Sequence, residues 1–205
     1  MSTLPTNPIA PTALDEKRLL LTPSQTVGPF FSIGLDHLNN SDLTSPIVLG
    51  ERITILGRVL DGDNQPVPDA LLEIWQADSS GNFPHEENPR LSHSNENFSG
   101  FFRIPTDPLG GFRFTTIKPG SVPGPNNADQ APHLSVHIFM RGLLKHLTTR
   151  LYFPNDPVNN SDFALNLIDP SRRSTLIALP HPENPTILLW DVRLQGPHET
   201  VFFDV

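Results

Sequence analysis

An all-β, antiparallel β-sandwich with an extended N-terminal arm and one or two short helices is the fold this sequence predicts. Three observations predict it. Proline is abundant, 23 in 205 residues, which shortens helices and multiplies turns. Several short runs alternate between apolar and polar residues with a period of two. Clusters of Gly, Pro, Asn and Asp separate those runs.

Residues 1–13, MSTLPTNPIAPTA, are rich in Pro and Thr, lack periodicity and read as a flexible arm. A short helical turn is expected over 15–21, then an extended segment punctuated by Pro and Gly over 22–31 (TPSQTVGPFF). Arm and loop make a segment over 1–45, and the sandwich spans 46–205. Residues 52–59 (RITILGRV) alternate as a strand, and Asp61-Gly62 with Asp63-Asn64 marks a hairpin-type turn. Residues 70–77 (ALLEIWQA) form the next strand, ended by 79–81. Alternation is clean over 111–117 (GFRFTTI), before Lys118-Pro119-Gly120 turns the chain. Strands over 131–142, 147–153, 186–194 and 200–203 complete the set. One helix is expected, with Asp169 as N-cap, Pro170 at its first position and SRRSTLIAL running to Pro180. The polar stretches 79–98 and 121–130 read as loops, where binding work concentrates.

Composition excludes several function classes. No stretch approaches the ~18 consecutive apolar residues of a membrane span. The N-terminus lacks a basic region followed by an apolar run and a small-residue cleavage site. With no cysteine there are no disulfides or thiolate metal sites, which fits a reducing cytoplasm. The 14 basic and 22 acidic residues give a net charge of −8, which argues against nucleic acid as a partner. An anionic ligand would need a local cation. Phenylalanine occurs 13 times and tyrosine once, as Tyr152. A mechanism that needs two tyrosinate ligands is therefore excluded from this chain alone.

The run over 131–142, APHLSVHIFMRG, holds the densest chemistry. Leu134, Val136, Ile138 and Met140 fall on one face of a strand, and His133, Ser135, His137, Phe139 and Arg141 on the other. At about 3.3 Å per residue, His133 and His137 stand about 13 Å apart, too far to share one ion. Ser135 occupies the position where a His-x-His pair would have its second ligand. A hydrogen-bonded histidine in a sheet core is the bland reading of His133. Arg141 could hold a carboxylate by a two-point contact, against the bland reading of a surface arginine at a strand end. Arg150 has the same ambiguity with less support. His37, His85, His93, His146, His181 and His198 read as loop or surface residues without ligand partners. His85-Glu86-Glu87 lacks the zinc-protease spacing, because position 89 is proline. No paired carboxylates, nucleophile elbow, phosphate loop or dinucleotide motif is present.

Together these segments resemble the intradiol ring-cleaving dioxygenases. The resemblance is carried by 22–31 (TPSQTVGPFF), 70–77 (ALLEIWQA), 116–120 (TIKPG) and 131–142. It continues in 149–153 (TRLYF), 171–179 (SRRSTLIAL) and 199–205 (ETVFFDV). Iron-bearing members hold Fe(III) with two tyrosines and a His-x-His pair. Carried over residue by residue, the first tyrosine falls on Phe83 in Gly81-Asn82-Phe83 and the second on Val122. The histidines fall on His133 and Ser135, or after a two-residue shift on Ser135 and His137. Hard Fe(III) wants anionic oxygen donors, which phenylalanine and valine lack. The resemblance thus implies a chain without a catalytic metal or catalytic residues of its own, inactive alone.

It further implies a homologous iron-bearing beta chain as partner, within a higher alpha-beta oligomer. Such an enzyme cleaves protocatechuate with O2 to 3-carboxy-cis,cis-muconate, in the beta-ketoadipate pathway of aromatic catabolism. The metal-free chain lends its N-terminal loop, here Thr26, Gly28 and Pro29, to the partner's substrate pocket. Arg141 matches an arginine that holds the substrate carboxylate. Two other readings compete. A stand-alone ligand-binding β-sandwich would not need the TPSQT-x-GP loop, and an active homo-oligomer is opposed by the single tyrosine.

Overall fold

The computed structural model describes residues 21–44, 48–84 and 98–204. The expected arm over 1–13, His85, His93, and most of the helical turn over 15–21 lie outside these residues. The boundary drawn at 45/46 does too.

Two sheets face each other across one core. The first is antiparallel throughout, with β2 (Leu71–Trp75), β3 (Phe101–Pro105), β7 (His133–Phe139) and β8 (Leu147–Tyr152) in the order β3-β2-β7-β8. The second is built on β1 (Arg52–Leu60), which pairs antiparallel with β4 (Gly111–Ile117) along one edge. Its other edge takes β10 (Asn184–Leu189) and then β11 (Val192–Arg193), both parallel to it. β9 (Leu179–His181) pairs antiparallel with β10. A small ribbon of β5 (Val122–Pro123) and β6 (Asp129–Gln130) leads into β7.

The alternation read from the sequence places the core. On β7, Leu134, Val136 and Ile138 are fully buried, while Ser135, His137 and Phe139 are half-buried on the other face. Leu72 and Ile74 of β2, Ile55 of β1 and Phe114 of β4 join the same core. Phe102 on β3 meets Phe114 on β4, with ring centroids 5.1 Å apart, so aromatic packing ties the two sheets together. Gly57 permits the change from β10 to β11. A Cβ there would lie 1.8 Å from the Trp190 carbonyl oxygen, so only glycine lets that backbone approach β1.

Three expected elements differ. The helix over 169–180 is replaced by a 3-10 turn at Arg173–Leu176 followed by β9. Asp169 does accept from the Ser171 amide (2.8 Å) and hydroxyl (2.6 Å), closing a local turn. Beyond that turn Leu176 and Ala178 are buried with a period of two, and the Ala178 amide donates to the Tyr152 carbonyl at 3.0 Å. Pairing along β8 thus overrides helix propensity. The strand expected over 186–194 is split at Trp190-Asp191, and residues 200–203 make only a single bridge, Phe203 to Thr148. The two short helices are α1 (Phe30–Gly34) and α2 (Phe163–Leu167). Asp162 caps α2 by accepting from the Leu165 amide at 2.9 Å.

Candidate functional site: two ends of one strand face

The register across β3, β2, β7 and β8 lays out the outer face of the first sheet in rows. Phe101, Trp75, Ser135 and Arg150 form one row, and Arg103, Glu73, His137 and Thr148 the next. His133 pairs with Tyr152 at the end nearer the ribbon. Leu71 pairs with Phe139 at the other, just before the turn that carries Arg141.

At the ribbon end His133 is 8% exposed, and its Nδ1 lies 2.7 Å from the Ala131 carbonyl. Its pKa falls to about 4, first because burial disfavours the charged ring and second because the Arg150 guanidinium is near. Tyr152 is fully buried, donates to Asp162 Oδ1 at 3.1 Å and accepts from Arg150 Nη1 at 3.2 Å. Burial pushes its phenol up to about 12, so it is a neutral donor at physiological pH. Arg150 Nη1 also donates to Gln130 Oε1 at 2.9 Å. The bland reading of His133, a hydrogen-bonded core histidine, describes its geometry.

This end does not suit a ferric ion. Val122 is buried in β5, and Phe83 is 42% exposed beyond β2. The loops that carry them meet backbone to backbone, because a Cβ on Gly81 (φ +79°) would lie 2.0 Å from the Ser121 carbonyl. Ser135 pairs with Arg150 across the register, and the Arg150 guanidinium is near enough to disfavour further positive charge at His133. Among the described residues no three His, Asp or Glu side chains are arranged to hold a metal ion.

A prediction follows from the His133 environment. Between about pH 4 and 6.5 the unfolded chain binds the proton that native His133 refuses, so stability rises with pH across that window. The stabilisation is complete above pH 6.5 and lost as pH falls through 4. Its full size is on the order of 3 kcal/mol. Urea denaturation at pH 7 and 4.5 should show most of this difference, and His133→Gln should flatten it. An unchanged slope in the variant would remove His133 as the cause.

The opposite end gathers the other sequence-predicted residues. The Gly142 amide donates to Thr26 Oγ1 at 2.9 Å, and Phe31 rests on Phe139 with centroids 5.3 Å apart. These contacts bind the TPSQT-x-GP loop to the turn after β7. Gly28 has open space where a Cβ would be, and Pro29 follows it at the head of α1. Arg141, 60% exposed, places Nε 2.9 Å from Asp69 Oδ2. It lies in the turn rather than on β7 itself. Phe30, Ile33 and Leu144 are exposed at the same corner.

Sequence reasoning missed Asp69 as the Arg141 partner, and Asp162 and Gln130 as supports of Tyr152 and Arg150. It also read His146 as solitary, whereas its ring lies 5.3 Å from that of His137 and 5.2 Å from that of Phe139. Burial and the neighbouring His146 lower the pKa of His137. The one available signal was the 140–146 turn, which folds His146 back onto the polar face of β7.

The sandwich and the sequence it is built from define a chain of the aromatic-ring-cleaving dioxygenase class. The family described as Dioxygenase matches residues 28–196, and the chain belongs to the intradiol dioxygenases. It is 41% identical over 198 residues to the protocatechuate 3,4-dioxygenase alpha chain of Burkholderia cepacia, covering 90% of this chain and 97% of that one. The beta chain from the same organism is 37% identical over 75% of this chain and 66% of its own length. A solved dioxygenase domain from Streptomyces sp. SirexAA-E, part of a fusion with a carbohydrate-binding protein, superposes with a TM-score of 0.60 at 26% identity. That match covers 80% of this chain and 89% of the other.

Proposed function

We propose that this chain is the metal-free alpha-type subunit of a protocatechuate 3,4-dioxygenase. In this reading a homologous beta chain binds Fe(III), and the two chains form a higher oligomer. The whole enzyme opens the ring of 3,4-dihydroxybenzoate between its hydroxyls, and both atoms of O2 enter the product, 3-carboxy-cis,cis-muconate. This chain supplies pocket wall and one cation. Thr26, Gly28 and Pro29 form the rim, and Arg141 receives the substrate carboxylate. The cysteine-free composition suits the cytoplasm.

The observation that carries this reading is the bond between the Gly142 amide and Thr26 Oγ1. It fixes the loop and the Arg141 turn as one unit, bordered by the exposed Phe30, Ile33 and Leu144 that a partner would cover. Phe83, Val122 and Ser135 support the division of labour, since they offer iron no anionic donor.

The test is co-purification from the native host followed by iron analysis of each separated chain. Iron should track the partner, and the chain purified alone should be colourless. A burgundy tyrosinate-to-iron absorption in the isolated chain would overturn the assignment. A well-behaved monomer that never captures a homologous partner would favour a stand-alone binding module instead.

A further inference from the structure

The mechanism proposed for the Arg141 corner makes no use of the pocket on the far side of β8. This pocket, of about 670 Å³, lies between α2 and the segment 201–204. Its volume is in the range of small-molecule sites. Phe163, Leu167, Val201 and Phe203 give it mainly apolar walls, and Arg150 supplies a charge. None of Phe83, Val122, His133 and Ser135 lines it.

Arg150 is the informative residue. It is half-buried, and among the described residues no carboxylate oxygen lies within 4.0 Å of it. Nη1 is committed to Gln130 and Tyr152, which fix the guanidinium plane. Nε and Nη2 donate to no acceptor among the described residues. The Phe203 ring lies 5.9 Å from the guanidinium carbon, on the pocket side. A half-buried cation with a free two-point edge in an apolar pocket calls for an anion with an apolar body.

The other charges narrow the choice. Arg172 is engaged with Glu199, its Nη2 lying 3.1 Å from the carbonyl and 3.4 Å from Oε1. Asp169 accepts from Ser171, and Asp204 pairs with Lys145, yet both carboxylates border the pocket. A phosphate dianion would meet one available guanidinium edge and two negative neighbours. A monocarboxylate needs only the one edge, and its ring can lie against Phe163, Leu167 and Phe203. We infer that this pocket is a second small-molecule site, for an aromatic monocarboxylate held by Arg150. It is separate from the Arg141 corner, which lies beyond the far end of β7; from Ser135, the partner of Arg150, to that end at Phe139 is four residues, roughly 13 Å.

The test is 19F NMR titration of 4-fluorobenzoate into the purified chain, with 4-fluorobenzyl alcohol as the uncharged comparison. Saturable binding of the acid and none of the alcohol is expected. Arg150→Gln should weaken it at least about tenfold, the size of a lost charged hydrogen bond. Leu167 is 73% exposed, so Leu167→Glu tests the pocket without disturbing the core, and its added negative charge should also weaken binding. Binding unchanged in both variants would overturn the site. Loss in Arg141→Gln with retention in Arg150→Gln would place the acid at the other corner and overturn it equally. Displacement by an equal concentration of inorganic phosphate would refute the monocarboxylate preference.

Discussion

Replacing Arg141 by alanine in the assembled enzyme is expected to raise KM for protocatechuate about ten- to a hundredfold, the worth of one charged hydrogen bond. For plain catechol, which has no carboxylate, KM should stay within about twofold, because nothing that touches that ring is lost. Two effects add in the alanine variant. The cation disappears, and the Asp69 carboxylate beside it, 19% exposed, loses the positive charge 2.9 Å away. An unmasked negative charge there repels the substrate carboxylate and inflates the apparent contribution of Arg141. Adding Asp69→Asn to Arg141→Ala should therefore recover part of the loss, whereas Asp69→Asn alone should release Arg141 and leave KM near the parent value. Equal effects of Arg141→Ala on protocatechuate and catechol would remove the carboxylate role and leave the residue a structural one.

The parts of the fold that were legible are those decided by neighbours in sequence. The period of two in 111–117 and 131–139 is local, and the burial of Phe112, Phe114, Leu134, Val136 and Ile138 follows it residue by residue. The 169–180 segment failed because its local signals were sound and incomplete. Asp169 makes its turn, but the Tyr152 carbonyl, which accepts from the Ala178 amide, and the two buried positions at Leu176 and Ala178 then draw the chain into an extended course. The parallel pairing of β1 with β10 was also invisible, since it depends on Gly57 accepting the backbone of a residue 133 positions later.

The candidate site divides the same way. Thr26, Gly28, Pro29 and Arg141 were proposed by resemblance, and the bond from the Gly142 amide to Thr26 ties the loop that carries the first three to the turn that carries Arg141. Arg150 could not be weighed from sequence, because its meaning lies in Gln130, brought by the ribbon, and in Tyr152, held by the Asp162 cap of α2. Asp69 is 72 residues from Arg141 and carries no motif. Residues whose role is to hold another side chain leave little trace in a single sequence.

Asp162→Ala should be the most damaging single substitution in this network, costing about 3–5 kcal/mol. The side chain is fully buried and accepts three bonds: from the Ala131 amide at 2.8 Å, the Leu165 amide at 2.9 Å and the Tyr152 hydroxyl at 3.1 Å. Alanine leaves all three donors dry, each worth about 1–3 kcal/mol when unsatisfied. Some relaxation keeps the total below their sum. Asparagine is nearly the same size but must present its NH2 where one oxygen now sits. Since every neighbour of Asp162 is a donor, Asp162→Asn should lose roughly half as much. Tyr152→Phe removes one donor together with its need for an acceptor and should cost only about 1 kcal/mol. The predicted order of urea midpoints is therefore Tyr152→Phe, then Asp162→Asn, then Asp162→Ala, at constant m-value. Were Asp162→Ala no worse than Tyr152→Phe, the carboxylate could not be what joins the entry to β7, the end of β8 and the start of α2. If it is, then the guanidinium of Arg150, held through Tyr152, should lose its fixed orientation in the same variant.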